Sequence, residues 1–141
     1  MVRSQPRVAA DRALCGLVNG LASQIGAHMR HCAGKLGLTA AQGTALRELT
    51  GPMSMGELAE RMSCEPSNAT VVVDKLERRA LIERCPHPTD RRAKRLVLTA
   101  DGAALREQLL DLLSEESPLA ALSEPEQRAL QALLERAVTK R

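Results

Sequence analysis

The residues between 54 and 102 constrain the fold more than any other stretch, because they predict two short helices and two short strands in direct succession. Ser54 and Glu57 have the spacing of a helix-capping box, so a first helix is expected to begin there. Its buried side is predicted to consist of Leu58, Ala59 and Met62. After a break at 63–65, Pro66 suits the first turn of a second helix, where its missing N–H has no partner to lose. The sequence therefore predicts two helices that meet across a tight turn.

The second helix is predicted to have one apolar and one polar face. The apolar residues recur at steps of three and four, which directs them to a core, and they are Ala69, Val72, Val73 and Leu76. The outward face is polar at its start and basic further on, and it comprises Ser67, Asn68, Val71, Lys75 and Arg78. Such a face suits a helix whose first turn enters a major groove of DNA, where Asn68 could pair with adenine and Val71 could touch a thymine methyl. An ordinary solvated helix face can have the same composition.

A hairpin with a basic tip is predicted to follow. Residues 81–85 and 95–98 are short runs with apolar alternation, and prolines and Asp90 between them mark a turn. From Arg78 to Arg95 there are seven basic and two acidic residues, a net charge of +5, whereas the whole chain carries +3. Positive charge is thus concentrated where such a hairpin would meet phosphates, with arginine at the tip placed for a narrow minor groove. This concentration favours duplex DNA over the solvated-face interpretation.

These elements resemble the MarR family of winged-helix transcriptional regulators. The resemblance rests on ELAERM (57–62), PSNATVVVDKLERRALIER (66–84), the spacing of Asp90 and Arg92, and LTADG (98–102). It implies that Arg92 is the wing-tip arginine, that Asp90 orients it, and that Ser67, Asn68, Thr70 and Lys75 belong to the recognition helix. With the outward and basic residues added, the expected DNA-binding residues are Ser67, Asn68, Thr70, Val71, Lys75, Arg78, Asp90, Arg91, Arg92 and Lys94.

The chain departs from the family pattern at two positions. Ala80 stands where the family usually has a glycine that closes the recognition helix in a left-handed conformation, so a different helix end is open here. Val71 stands where many members have a basic residue or glycine. The base preference of a relative therefore cannot be transferred to this chain.

Long helices are predicted on both sides of this region, which makes the fold class mainly α with a small β-hairpin wing. Apolar steps of three and four predict an amphipathic helix over about 7–33, and Thr39 opens another. A third pattern follows Thr99, and Ser123 with Glu126 caps a last helix.

A single domain is expected over 1–141, with a winged helix-turn-helix lobe at about 36–100 and dimerisation helices at about 7–34 and 100–139. The apolar stripes of the outer helices exceed what one small domain needs to cover, and DNA readers of this size pair two recognition helices on successive half-sites. A homodimer follows, and the family resemblance implies the same arrangement. Residues 101–141 hold eight acidic against five basic residues, which suits a base that faces away from DNA, although helix surfaces are often acidic.

Composition excludes several classes of protein. Phe, Tyr and Trp are absent, which argues against single-strand and most RNA binding, because those modes stack bases on aromatic side chains. No apolar run approaches the roughly 18 residues of a membrane span, and the N-terminus lacks the apolar segment of a signal peptide. We expect a cytoplasmic protein without membrane contact.

The four cysteines form no C-x-x-C pair, so neither a zinc site nor a disulfide framework is expected. His28 and Cys32 share a helix face and could be half of a metal site, but no further ligands are evident nearby. Cys15 has a position similar to that of the reactive cysteine in the hydroperoxide-sensing branch of the family. That branch surrounds its cysteine with tyrosines, which this chain lacks, so a buried inert thiol is the favoured interpretation.

No catalytic motif is present, because the histidines lie in no nucleophile motif, phosphate loop or H-E-x-x-H helix. We expect no enzyme and no cofactor. The predicted function is a sequence-specific, ligand-responsive transcriptional repressor that binds a palindromic operator as a homodimer and takes a small-molecule effector. The alternatives are a thiol-based redox regulator acting through Cys15, and a non-specific duplex-binding or protein-interaction winged helix.

Overall fold

The computed structural model describes residues 5–90 and 92–138 of the 141-residue chain. Its described elements, in chain order, are α1 (Gln5–Lys35), α2 (Ala40–Glu48), α3 (Met55–Met62), α4 (Pro66–Arg78), β1 (Ile82–Pro86), β2 (Lys94–Leu98), α5 (Ala100–Ser114) and α6 (Glu124–Ala137). The strands form one antiparallel sheet in which Ile82 pairs with Leu98 and Pro86 with Lys94. The predicted mainly α fold with a small hairpin is confirmed.

The described chain divides into two compact units. One comprises residues 26–115, which we call the lobe, and it contains the last turns of α1, helices α2 to α5 and the hairpin. The other comprises residues 5–25 and 116–138 among those described.

The core of the lobe is aliphatic, as the lack of aromatic residues requires. Its largest fully buried side chains are Met29, Leu46, Leu49, Leu58, Val73, Leu76, Ile82, Leu96 and Leu109. Helix α2 packs against α3, α4 and α5. Gly43 permits α1 to approach α2 closely, because a Cβ there would lie 2.7 Å from Met29 Sδ and 3.1 Å from Ala33 Cβ. Met62, predicted to be buried, is only half-buried.

Side-chain caps fix the predicted helix starts. Thr39 Oγ1 accepts from the backbone N–H of Gln42, whose side chain accepts from Thr39 N–H in return. Ser54 Oγ accepts from Glu57 N–H at 3.1 Å, which is half of the expected capping box. Ser123 and Glu126 form the complete box before α6. These bonds satisfy donors that a helix leaves unpaired at its first turn.

Helix α4 ends in a left-handed residue, although that residue is not glycine. Ala80 has φ 58°, and its N–H donates to Glu77 O at 2.9 Å while Leu81 N–H donates to Leu76 O at 3.0 Å. These two bonds make a Schellman motif, the ending that glycine usually allows. Alanine therefore takes the usual conformation here, and the different ending that the substitution left open is not formed.

Thr99 joins this helix end to α5. Its Oγ1 donates to Ala80 O at 2.7 Å and accepts from Gly102 N–H at 3.0 Å, which caps α5. Its N–H donates to Leu81 O at 3.1 Å. A Cβ on Gly102 would overlap the carbonyl oxygen of Leu81, so only glycine fits. The LTADG motif thus holds the first turn of α5 against the segment that follows α4.

The second unit carries apolar side chains that the chain leaves exposed. On α1 these include Leu14 and Leu17, which are 62% and 73% exposed, and on α6 they include Leu133 at 59%. Helix α6 has no buried residue. Gln127 Nε2 donates to Leu119 O and Leu122 O, both at 3.0 Å, and so ties the preceding turns to α6. None of the described helices is long and apolar enough for a membrane crossing.

The expectation that Cys15 is buried is wrong, because the thiol is exposed. Within the part of the chain that the structure describes, every residue from Asp11 to Gly20 is exposed. A free cysteine is often a core residue, but only where other side chains pack against it.

Candidate nucleic-acid interface

Helix α4 presents the predicted outward face to solvent. Ser67, Asn68, Val71, Lys75 and Arg78 are all exposed. On the opposite side, Ala69, Val73 and Leu76 are each 0% exposed, and Val72 is half-buried. Val71, at 54% exposure, is the described lobe's one large hydrophobic residue with high exposure. The helix is therefore held by its apolar side and offers its polar and basic side to a partner.

Thr70 takes a different position from the other predicted site residues of α4. It is half-buried, and its Oγ1 donates to Pro66 O at 2.9 Å. Because its only hydroxyl proton is used within the helix, Thr70 can meet a ligand only as an acceptor or through its methyl group.

The turn before α4 sets the direction in which that helix leaves α3. Ser63 is left-handed at φ 56°, and Cys64 N–H donates to Ala59 O at 3.0 Å. Glu65 is the N-cap residue and makes no side-chain cap bond, while Pro66 occupies the first turn as expected. Helices α3 and α4 pack against each other, which gives the predicted helix-turn-helix.

The wing is closed by bonds across its tip. His87 N–H donates to Ala93 O at 3.0 Å, and Ala93 N–H donates to Asp90 O at 3.1 Å. Asp90 Oδ1 accepts from the backbone N–H of Arg92 at 3.1 Å, so its carboxylate contacts the main chain of Arg92. Arg92 and Lys94 are exposed, whereas Arg91 lies outside the described residues.

The base of the wing is attached to the lobe at Leu96. This buried residue exchanges two backbone bonds with Met53, Leu96 N–H to Met53 O at 2.7 Å and Met53 N–H to Leu96 O at 3.3 Å. Met53 is itself 3% exposed. Met53 therefore adds one isolated antiparallel bridge to β2 of the two-stranded sheet.

Two of the seven basic residues counted from the sequence are engaged within the lobe. Arg84 Nη2 lies 2.6 Å from Asp74 Oδ1, and Arg84 Nη1 lies 3.8 Å from Glu77 Oε1. Arg79 Nη1 donates to Gly37 O at 3.0 Å. The basic residues available to a partner are therefore fewer than the count suggests. Among the residues that the structure describes, no carboxylate lies within 4 Å of Lys75, Arg78, Arg92 or Lys94.

Arg84 is the residue of this region that sequence reasoning missed. Its partner Asp74 is ten residues away and lies on a different element, so no helical or strand spacing relates the two. Only the docking of β1 beside α4 brings the charges together.

His28 and Cys32 bond to the last carbonyls of α5. His28 Nε2 lies 2.9 Å from Leu113 O, and Cys32 Sγ donates to Leu112 O at 3.6 Å. Burial raises the pKa of the Cys32 thiol, and Lys35 opposes this shift in part. Within 5–90 and 92–138, no three His, Cys, Asp or Glu side chains are grouped as a metal site requires. His28 and Cys32 thus provide hydrogen-bond partners for carbonyl groups at the C-terminal end of α5.

The fold and this exposed face define a winged helix-turn-helix protein. The sequence model of the MarR family matches residues 38–94, and the chain belongs to this family. Over 78 residues it is 40% identical to the HTH-type transcriptional repressor MdtR of Bacillus subtilis, a match that covers 54% of this chain and 50% of that protein. The chain thus spans about half the length of the curated relatives that it matches.

Two solved structures extend the similarity over most of the chain. A probable transcriptional regulator from Pseudomonas aeruginosa is 30% identical with a TM-score of 0.66, and the match covers 86% of this chain and 94% of that one. A mutant MarR from E. coli, solved in complex with operator DNA, is 25% identical with a TM-score of 0.71 and coverage of 90% and 94%. These relatives are named as regulators of transcription and not as enzymes, in agreement with the expectation from the sequence.

Proposed function

We propose that the chain is a transcriptional regulator that reads duplex DNA by sequence, as a homodimer on a palindromic operator. The observation that carries this proposal is the exposed face of α4, polar at Ser67 and Asn68 and basic at Lys75 and Arg78, beside a wing with exposed Arg92. The similarity to a repressor and to a protein solved with operator DNA supports it. We propose repression in the cytoplasm as the outcome of binding.

The exposed side chains divide into those that read bases and those that bind phosphates. In the first turns of α4, Ser67 and Asn68 offer hydrogen bonds to base edges, and Asn68 suits adenine. Val71 offers methyl groups to a thymine methyl, and Thr70 offers an acceptor. Further along the helix, Lys75 and Arg78 would hold phosphates and fix the register without reading sequence.

The wing would contribute charge in the neighbouring minor groove. Arg92 would enter that groove, with Arg91 and Lys94 close in sequence to bind the phosphates that border it. Asp90 would keep the tip in shape through the Arg92 main chain. Arginine suits this role because a narrow minor groove has an enhanced negative potential.

A homodimer is supported by the uncovered apolar side chains of α1 and α6. Leu14, Leu17 and Leu133 are more than half exposed, and Val138, the C-cap residue of α6, is 69% exposed. Pairing two chains through these helices would remove apolar surface from water and present two recognition helices. Half-sites about one helical turn, roughly 34 Å, apart would then be read together.

Regulation by a small molecule would act on the distance between the two recognition helices. An effector can shift the affinity for DNA only if it binds one spacing better than the other. The family resemblance supplies this part of the proposal, and the identity of the effector is open.

The test is selection of duplexes from a random pool, with affinities measured at two salt concentrations beside a scrambled duplex. We expect a palindrome with half-sites one turn apart that binds about a thousandfold tighter than the control. Arg92→Ala should reduce the salt slope by about one contact per half-site, whereas Asn68→Ala should relax base preference with less change in slope. Arg128→Ala, which removes an exposed charge from α6, is the matched control and should change neither. Equal binding of every duplex would leave only a non-specific module or a protein-interaction domain.

Cys15 keeps a thiol-based sensor as a second candidate, because its thiol is exposed in the single chain and it lies between Leu14 and Leu17 of the proposed dimer interface. Oxidation of a thiol at that interface would change how the two chains pair, and with it the spacing of the recognition helices. If Cys15 senses peroxide, Cys15→Ser should abolish release of DNA by peroxide, and Cys64→Ser should not. If the DNA complex of the wild-type protein is unaffected by peroxide, the sensor is excluded.

A further inference from the structure

Arg84 joins the first strand of the wing to the recognition helix. Its guanidinium lies 2.6 Å from Asp74 and 3.8 Å from Glu77, both on α4. We propose that Arg84 is a positioning residue that fixes the wing relative to α4, so that the wing tip and the recognition helix fit DNA at the same time. This inference rests on the proposed function.

The strand pattern directs Arg84 towards α4. Residues two apart on a strand share a face, so Arg84 lies on the same face of β1 as Ile82. Ile82 is 1% exposed and belongs to the core of the lobe. Arg84 continues this face one step further, at the edge of the core, with its side chain 32% exposed.

At the Arg84–Leu96 pair, both strands of the hairpin are bonded to other elements of the lobe. Arg84 is the cross-strand partner of Leu96, and Leu96 exchanges backbone bonds with Met53. One strand is thus bonded to the segment before α3, while the opposite residue of the other strand is bonded to α4. Beyond this level the strands continue at about 3.3 Å per residue to the tip, so a small rotation at the base would displace Arg92 considerably.

The same contacts keep the acids of α4 away from its bases. Asp74 and Arg78 are four residues apart, a spacing at which opposite charges pair on a helix. In the structure, Asp74 binds Arg84 instead, and Arg78 has no carboxylate within 4 Å among the described residues. Arg84 therefore neutralises two carboxylates that would otherwise repel phosphates or occupy the bases beside them.

Asp74→Asn distinguishes the positioning role of Arg84 from a purely electrostatic effect, because the two predict opposite changes in the affinity for DNA. Removing a negative charge beside DNA should strengthen binding if charge alone matters. If Arg84 positions the wing through Asp74, the affinity for the selected operator should fall about tenfold, the effect of two such exposed ion pairs in a dimer. The matched control is Glu65→Gln, an exposed acid next to α4 with no side-chain cap bond, which should bind equally or more tightly.

A double-mutant cycle then tests the link to the wing tip. We expect the fold-loss in DNA affinity caused by Arg92→Ala to be at least three times smaller in an Arg84→Gln background than in the wild type. The reason is that a misplaced wing tip makes fewer contacts with DNA that the substitution could remove. Arg84→Lys keeps a charge on the same strand and should recover part of the coupling. Amide hydrogen exchange in residues 82–98 of the free protein should be faster in both Arg84→Gln and Asp74→Asn.

Three results would overturn the inference: tighter binding by Asp74→Asn, additive losses in the cycle, or unchanged exchange in the wing. The exchange measurement needs no DNA, so it decides the positioning role even if the wild-type protein selects no sequence. Failure of the wild-type protein to select a sequence would refute the proposed function, independently of the exchange result.

Discussion

The left-handed Ala80 predicts that Ala80→Gly stabilises the protein. An L-residue in this conformation is disfavoured by about 1–2 kcal/mol, because its Cβ approaches the following carbonyl oxygen. Glycine avoids that contact but has more freedom in the unfolded chain, which costs about 0.4–1 kcal/mol. Ala80 is exposed, so its methyl group adds little burial. The net gain should be about 1 kcal/mol, or about 4 °C in Tm for a chain of this size.

Urea unfolding followed by far-ultraviolet circular dichroism measures this gain at one fixed protein concentration. The midpoint should rise without a change in the m-value, since the exposed surface of the two end states is the same. Ala104→Gly is the matched control, because Ala104 is exposed within α5 and glycine in a helix interior costs about 1 kcal/mol. The two substitutions should therefore shift stability in opposite directions. A loss of stability in Ala80→Gly comparable to that in Ala104→Gly would refute the left-handed ending.

Three further predictions concern other contacts. Gly102→Ala should lower the free energy of unfolding by about 3 kcal/mol, the upper part of the overpacking range, because its Cβ would overlap Leu81 O. A loss below about 1 kcal/mol in urea would contradict that close approach. The pKa of Glu126 is lowered by the backbone N–H and then the hydroxyl of Ser123, so its contribution to stability is present above the ordinary glutamate pKa and is lost as pH falls through the lowered value. Glu126→Gln should remove this part of the acid dependence from urea midpoints between about pH 5 and pH 3, and an unchanged pH profile would contradict the assignment. Deletion of residues 118–141 should give monomers or aggregates in sedimentation, and an intact dimer would exclude the terminal interface.

The helix starts could be predicted from the sequence because their signals are local. Thr39, Ser54 and Ser123 each cap a helix by accepting from the backbone N–H three residues further along. Pro66 marks the start of α4 for a similar reason. The faces of α4 followed from helical periodicity, since Ala69 and Leu76 share the side that the lobe buries.

The parts that the sequence did not predict depend on contacts between elements. The basic count gave Arg84 the same weight as the wing-tip arginines, because the approach of Asp74 is a result of docking. The burial of Cys15 was predicted from the lack of nearby tyrosines and the usual burial of free cysteines, but none of the described residues covers that turn of α1. Because alanine stands where the family usually has glycine, the sequence left open a different end for α4. The hydrogen bonds of Leu81 and Thr99 nevertheless hold Ala80 in the left-handed conformation.

The bonds around α4 limit where a regulatory signal can act. The helix end is fixed through Thr99, its middle is bonded to the wing through Arg84, and the wing base is bonded to Met53. Changing the angle between α4 and the wing would break several of these contacts at once. A ligand that separates two such lobes in a dimer would break none of them. We therefore expect an effector to change the spacing of the recognition helices while leaving hydrogen exchange in residues 82–98 unchanged, and faster exchange there on effector binding would contradict this mechanism.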